Sequence, residues 1–193
     1  MARPREFHRE TALQQARLVF WEKGYAGTST DDLVKAMGIG RQSLYNAFGG
    51  KWQLYTEALA DYQQSSTSSH VQRLQSPASA LQGIRDMLEG LAVDDDALRA
   101  LGCMGVGSAC EFGSAEPQLS DLRTKVSAYL HSRLVKRIRE GQAAGEIDPA
   151  LNAGEAANYV MMSMTGIQLA ARSGAKAVEM RRLARFAADR LQA

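Results

Sequence analysis

Residues 37–51 read MGIGRQSLYNAFGGK. Gly38-Ile39-Gly40 precedes a run from Arg41 to Phe48, and Gly49-Gly50 closes it. A helix this short does not stand alone in water, because nucleation costs more than its few hydrogen bonds return. Its neighbours must hold it. Leu44 and Phe48 can pack inward, which leaves Arg41, Gln42, Ser43, Tyr45 and Asn46 facing outward. Upstream, Thr28-Ser29-Thr30 opens a second helix, with Ser29 and Asp32 at capping-box spacing. That helix carries Leu33, Val34, Ala36 and Met37 and stops at Gly38. A first helix over about residues 7–23 presents Ala12, Leu13, Ala16, Val19 and Phe20 to the same core. Two helices joined by a glycine turn form a helix-turn-helix.

The outward side chains suit DNA. Arg and Gln form bidentate contacts with purine edges in the major groove. Ser and Tyr hydroxyls and the Lys ammonium contact phosphates, which fix position without reading sequence. Helix N-termini attract phosphates as well, which makes Thr28, Ser29 and Lys51 candidates for backbone contact. Net charge is only +2, but residues 1–55 hold eight Lys/Arg against five acids, so the positive excess sits where an anionic partner needs it.

Outside this head the chain reads as all-α. Alternating strand patterns are absent, and all four prolines sit at segment breaks. A fourth helix starts near Lys51 with Leu54, Tyr55, Ala58, Leu59 and Tyr62, then meets the polar run QQSSTSSH (63–70), a helix end or a joint. Further helices are expected over about 79–91, 97–112 (one helix with a kink at its glycines), 117–144, 152–173 and 175–192, about nine in total. Residues 152–173 are apolar nearly all round, so that helix needs burial on two sides, the second by another subunit. No apolar run approaches a membrane span, and the charged N-terminus lacks a signal-peptide core, so a cytoplasmic location is expected.

The run GYAGTSTDDLVKAMGIGRQSLYNAFGGKWQL (24–54) resembles the DNA-binding domain of the TetR-type repressor family. The likeness rests on the glycine-aromatic pair, Thr28-Ser29, Gly38-Ile39, Leu44-Tyr45, Phe48 and Gly50-Lys51. Gly40, Val34 and Ala47 depart from the pattern. Farther along, GQAAGEIDP (141–149) is similar to a recurrent family phrase. The resemblance puts Tyr45 and Lys51 at backbone-contacting positions, and Arg41, Gln42, Ser43 and Asn46 in the recognition helix. It implies a helix-turn-helix head over residues 1–55 and a ligand-binding, dimerising body over 56–193. It further implies a homodimer through the last two helices, with Tyr159, Val160, Met164, Ile167, Met180, Leu183 and Ala187 as candidate interface residues. The implied function is a regulator, most simply a repressor, that binds a pseudo-palindromic double-stranded operator and is released by a small-molecule effector.

Candidate pocket residues in the body are Met87, Leu88, Leu91, Leu101, Cys103, Met104, Glu111, Phe112, Tyr129, Tyr159 and Met162, each also readable as core. Glu111 can orient a cationic or hydroxylated ligand, or stand exposed or paired with an arginine. Cys103 and Cys110 read as small buried residues, with electrophile sensing as the alternative; no basic neighbour in sequence lowers the thiol pKa. His8, His70 and His131 have no ligand spacing with the cysteines, so no metal is expected. No cofactor and no catalysis are expected either: the glycines at 102, 105 and 107 follow no strand, and no nucleophile elbow is present. The alternative function is a helical ligand- or partner-binding protein whose helix-turn-helix no longer binds DNA.

Overall fold

A computed structural model describes residues 8–193. Ten helices are present among them: α1 (Arg9–Lys23), α2 (Thr30–Met37), α3 (Arg41–Phe48), α4 (Lys51–Gln75), α5 (Ala80–Glu89), α6 (Asp96–Ala100), α7 (Met104–Phe112), α8 (Pro117–Ala143), α9 (Ala153–Arg172) and α10 (Ala177–Asp189). The expected start of the first helix near Phe7 lies outside the described residues. The only extended pairing among the described residues is an isolated antiparallel bridge between Ile147 and Gln192.

Two expectations change. The segment 97–112 is two helices rather than one with a kink, because Gly102 takes a left-handed φ of 62° and interrupts the hydrogen-bond ladder. That raises the helix count from nine to ten. The polar run 63–70 is neither an end nor a joint; α4 continues through it to Gln75. Gln63, His70 and Leu74 are buried along one side, so tertiary packing sustains a helix that serine and threonine propensities disfavour.

The core lies in two clusters. One joins Ala12, Ala16 and Phe20 of α1, Leu33 and Met37 of α2, and Leu44 and Phe48 of α3 to the first half of α4, with Met104 and Leu119 closing it. The other joins the end of α4 to α5, α8, α9 and α10. The boundary expected at residue 55 falls inside α4, whose N-terminal half belongs to the first cluster and whose Leu74 belongs to the second. One long helix is therefore shared by head and body.

Candidate nucleic-acid interface

The helix-turn-helix is built from caps and a glycine. Ser29 Oγ accepts from the Asp32 N–H at 3.0 Å, while the Ser29 N–H donates to Asp32 Oδ2 at 2.9 Å. This capping box fixes the start of α2, with Asp in the place usually held by Glu. Lys23 Nζ lies 2.7 Å from Asp32 Oδ1, and the ammonium and cap together hold the Asp32 carboxyl well below the usual carboxylate range. Gly38 ends α2 at φ 66°, a left-handed conformation that a side chain would strain. The Ile39 N–H then returns to the Val34 carbonyl at 3.2 Å, which tightens the turn. Gly40 caps α3 without a side-chain bond, so packing must hold that helix. Leu44 is fully buried and Phe48 nearly so. Burying such side chains contributes about 1.5–3 kcal/mol each.

Around those anchors, Arg41, Gln42, Tyr45 and Asn46 are exposed and Ser43 is half-buried. Arg41 Nη2 lies 2.8 Å from Asp31 Oδ1, across the turn. Gln42 Nε2 donates to Asn46 Oδ1 at 3.0 Å. Lys51 opens α4, and its Nζ sits 4.1 Å from the centroid of the Tyr25 ring. Four side chains with hydrogen-bond donors thus share the outward face of α3, flanked by the N-termini of α2 and α4. Thr28 is a correction. It is buried, and its hydroxyl donates to the Gly24 carbonyl at 2.6 Å, so it secures the loop before α2 and cannot reach a phosphate.

The head is tied to the body by contacts that sequence reasoning did not foresee. Glu111 of α7 accepts from the backbone N–H of Tyr25 at 3.0 Å and of Ala26 at 2.6 Å. Arg172 of α9 donates to the carbonyls of Glu22 and Leu101, and Trp21 Nε1 donates to the Gly102 carbonyl at 3.2 Å. These are long-range bonds between backbone and side chain, which leave no periodic trace in a sequence.

Two cavities flank this junction. Leu101, Cys103, Met104 and Glu111 line one of about 290 Å³ beside α1 and α7. Leu91 lines another of about 270 Å³ between α1 and the serine run of α4. Met87 and Leu88 face neither; they are fully buried in the body core. Phe112 packs with Tyr25, Trp52 and Tyr55, its ring centroid 5.7 Å from each. Tyr129, Tyr159 and Met162 are exposed and line no cavity described, because they lie on outer faces of α8 and α9. Cys103 is half-buried, but Cys110 is exposed rather than a core residue.

The interface candidates divide in the same way. Val160, Ile167, Met180 and Ala187 are buried within the protomer, where α9 and α10 pack on the core, and Met164 is packed against it. Tyr159 and Leu183 are exposed, and with Met162, Leu169 and Phe186 they make an apolar stripe on the outer side of α9 and α10. The inward residues of α9 are thus buried by α10 and the body core, while its outer apolar side is uncovered in the single chain.

A short polar helix presented on a three-helix pedestal defines a helix-turn-helix protein of the DNA-binding class. The comparisons agree. The profile of bacterial regulatory proteins of the tetR family matches residues 12–58, and that of the tetracyclin repressor-like C-terminal domain matches residues 80–187. The chain is 34% identical over 149 residues to the uncharacterized HTH-type transcriptional regulator YezE of Bacillus subtilis, covering 77% of each chain. It is 26% identical to the HTH-type transcriptional repressor ComR of Escherichia coli, covering 94% of this chain and 88% of that one. Among solved structures, a cysteine mutant of the TetR family regulator CifR, complexed with 26-base-pair operator DNA, superposes with a TM-score of 0.83 at 28% identity, covering 98% of this chain and 100% of that one. The chain belongs to the TetR family of bacterial regulatory proteins and is a DNA-binding transcriptional regulator. No helix among the described residues is long and apolar enough to cross a membrane.

Proposed function

We propose that this regulator is a cytoplasmic, homodimeric repressor that leaves a two-half-site operator when a small effector binds its body. The observation that carries the reading is the outward face of α3, with Arg41, Gln42, Tyr45 and Asn46 exposed over the buried Leu44 and Phe48. Arg41, Gln42 and Asn46 read base edges; Ser43, Tyr45, Ser29 and Lys51 hold phosphates. Residues 1–55 form the reading head and residues 56–193 the effector and dimer body. The operator-bound relative and the relative described as a repressor support this assignment. The exposed stripe of Tyr159, Met162, Leu169, Leu183 and Phe186 supports a twofold mate on α9 and α10, since a monomer seldom leaves such a surface bare. Release requires the effector to bind the DNA-competent and released states with different affinity. Glu111, Arg172 and Trp21 are the contacts through which a change in the body reaches the head.

Footprinting of the region upstream of its own gene tests the assignment. Two protected half-sites about one helical turn apart are expected, with protection that weakens as salt rises. Protection indifferent to sequence would overturn it.

A further inference from the structure

The cavity between α1 and the serine run of α4 has a composition unlike an apolar pocket. Arg17, Arg73 and Arg99 line it, with Ser65, Ser66 and Ser69, and no aspartate or glutamate is among its lining residues. Arg17 gives one nitrogen to Asp61 at 2.7 Å, and Arg99 is bonded to Asp96 and to backbone carbonyls. The Arg73 guanidinium has neither an ion pair nor a hydrogen bond among the described residues. Two further polar atoms at this cavity are buried without a partner: Arg17 Nε and His70 Nδ1. His70 is 7% exposed, and its other ring nitrogen is engaged with Ser66 Oγ at 3.1 Å. A buried polar atom left unpaired costs about 1–3 kcal/mol, so Arg17 Nε and His70 Nδ1 at one cavity point to a partner from outside the chain.

The room for Arg73 is made by Gly90. A Cβ at that position would lie 2.5 Å from Arg73 Nε and 2.6 Å from its Cδ. The backbone φ of Gly90 is an ordinary −64°, so this glycine serves close approach and not a turn. Trp21, Leu91 and Leu98 supply the apolar wall. At about 270 Å³ the cavity falls just below the usual size of drug-sized ligand pockets, about 300–1,000 Å³, so only a small ligand fits it.

We propose that this cavity is the effector site and that it takes a small organic carboxylate, its anionic end on Arg73, Arg17 and the serines and its apolar body against Trp21 and Leu98. The inference rests on the reading of the chain as an effector-released regulator and names the chemical class of that effector. Because Arg17 and Trp21 belong to α1 of the head while Arg73 and the serines belong to α4, a carboxylate bridging them changes how the head is held.

Titration calorimetry of the full chain without DNA, at constant ionic strength, compares phenylacetate with its neutral isostere phenylacetamide. Saturable binding at least tenfold tighter for the acid is expected. Arg73→Gln should bring the two within about twofold, and Arg73→Lys should keep the preference for the acid; circular dichroism verifies that each variant is folded. Equal affinity of acid and amide, no saturable binding of the acid, or an undiminished preference in folded Arg73→Gln would overturn the inference. The wild-type comparison decides even where a variant does not fold. Footprinting of the operator is independent, so a protein that protects its operator yet shows no preference for the acid overturns the effector class and leaves DNA binding standing.

Discussion

Arg41 of the recognition helix is held by Asp31 of the preceding helix, Nη2 to Oδ1 at 2.8 Å, across the glycine turn. Both side chains are largely exposed, so the pair adds little to stability and acts as a holding contact. A guanidinium placed on a guanine edge must give up that aspartate, and a carboxylate near the groove repels the phosphates. Asp31→Ala is therefore expected to raise operator affinity, most visibly at low salt. Arg41→Ala should lower specific affinity about 5- to 150-fold and relax preference at one base position. Fluorescence anisotropy on operator and scrambled duplexes measures both. An Arg41→Ala loss equal on the two duplexes would mark Arg41 as a phosphate contact instead.

Glu111 tests the link between head and body. Its carboxylate is the acceptor for the N–H groups of Tyr25 and Ala26. Glu111→Ala should speed hydrogen exchange at those two amides and lower stability by about 1 kcal/mol, with Glu111→Gln intermediate because it keeps one acceptor oxygen. Unchanged exchange in the alanine variant would remove Glu111 from the connection.

His70 makes stability depend on pH. Burial, aided by the nearby Arg73 charge, pushes its imidazole down from 6.5 to about 4, so the folded protein holds it neutral. Its unfolded value is the higher one, so its contribution is fully present above about pH 6.5 and is lost as pH falls towards about 4. The difference in urea unfolding free energy between wild type and His70→Gln should shrink by about 3 kcal/mol across that window. Tyr62, Ser65, Ser66, Ser69 and Gln168 and the guanidinium groups of Arg17, Arg73 and Arg99 line the same cavity as His70. A pH-independent difference would contradict the neutral, buried state.

The outer stripe of α9 and α10 predicts an assembly. Leu183→Glu with Phe186→Glu places charge on residues 50% and 59% exposed, so the protomer fold should survive. Light scattering should report a monomer, and operator affinity should fall about a hundredfold or more because two linked heads become independent. A persistent dimer would move the interface elsewhere.

The head was legible because its signals are local. Ser29 and Asp32 lie three residues apart, Gly38 follows the last apolar residue of α2, and Leu44 and Phe48 share a helical face; each feature acts within a turn of its neighbours. Long helices such as α8 were legible from periodicity. The split at Gly102 was not, since a glycine inside an apolar run is compatible with a kink or a break until packing selects one. The persistence of α4 through its serines was hidden for the complementary reason: its support comes from α5 and α8.

Sequence alone determined the helical class, the helix-turn-helix and the polar outward face of α3, because caps, glycine conformations and apolar spacing are properties of adjacent residues. Tertiary structure decided which side of α9 faces outward, that Thr28 turns inward, and that Arg41 meets Asp31. It also decided that Arg17 and Arg73, on different helices, meet over one cavity. Those outcomes depend on the angle and depth at which whole helices pack, and hydrogen bonding and burial settle that only when distant segments come together.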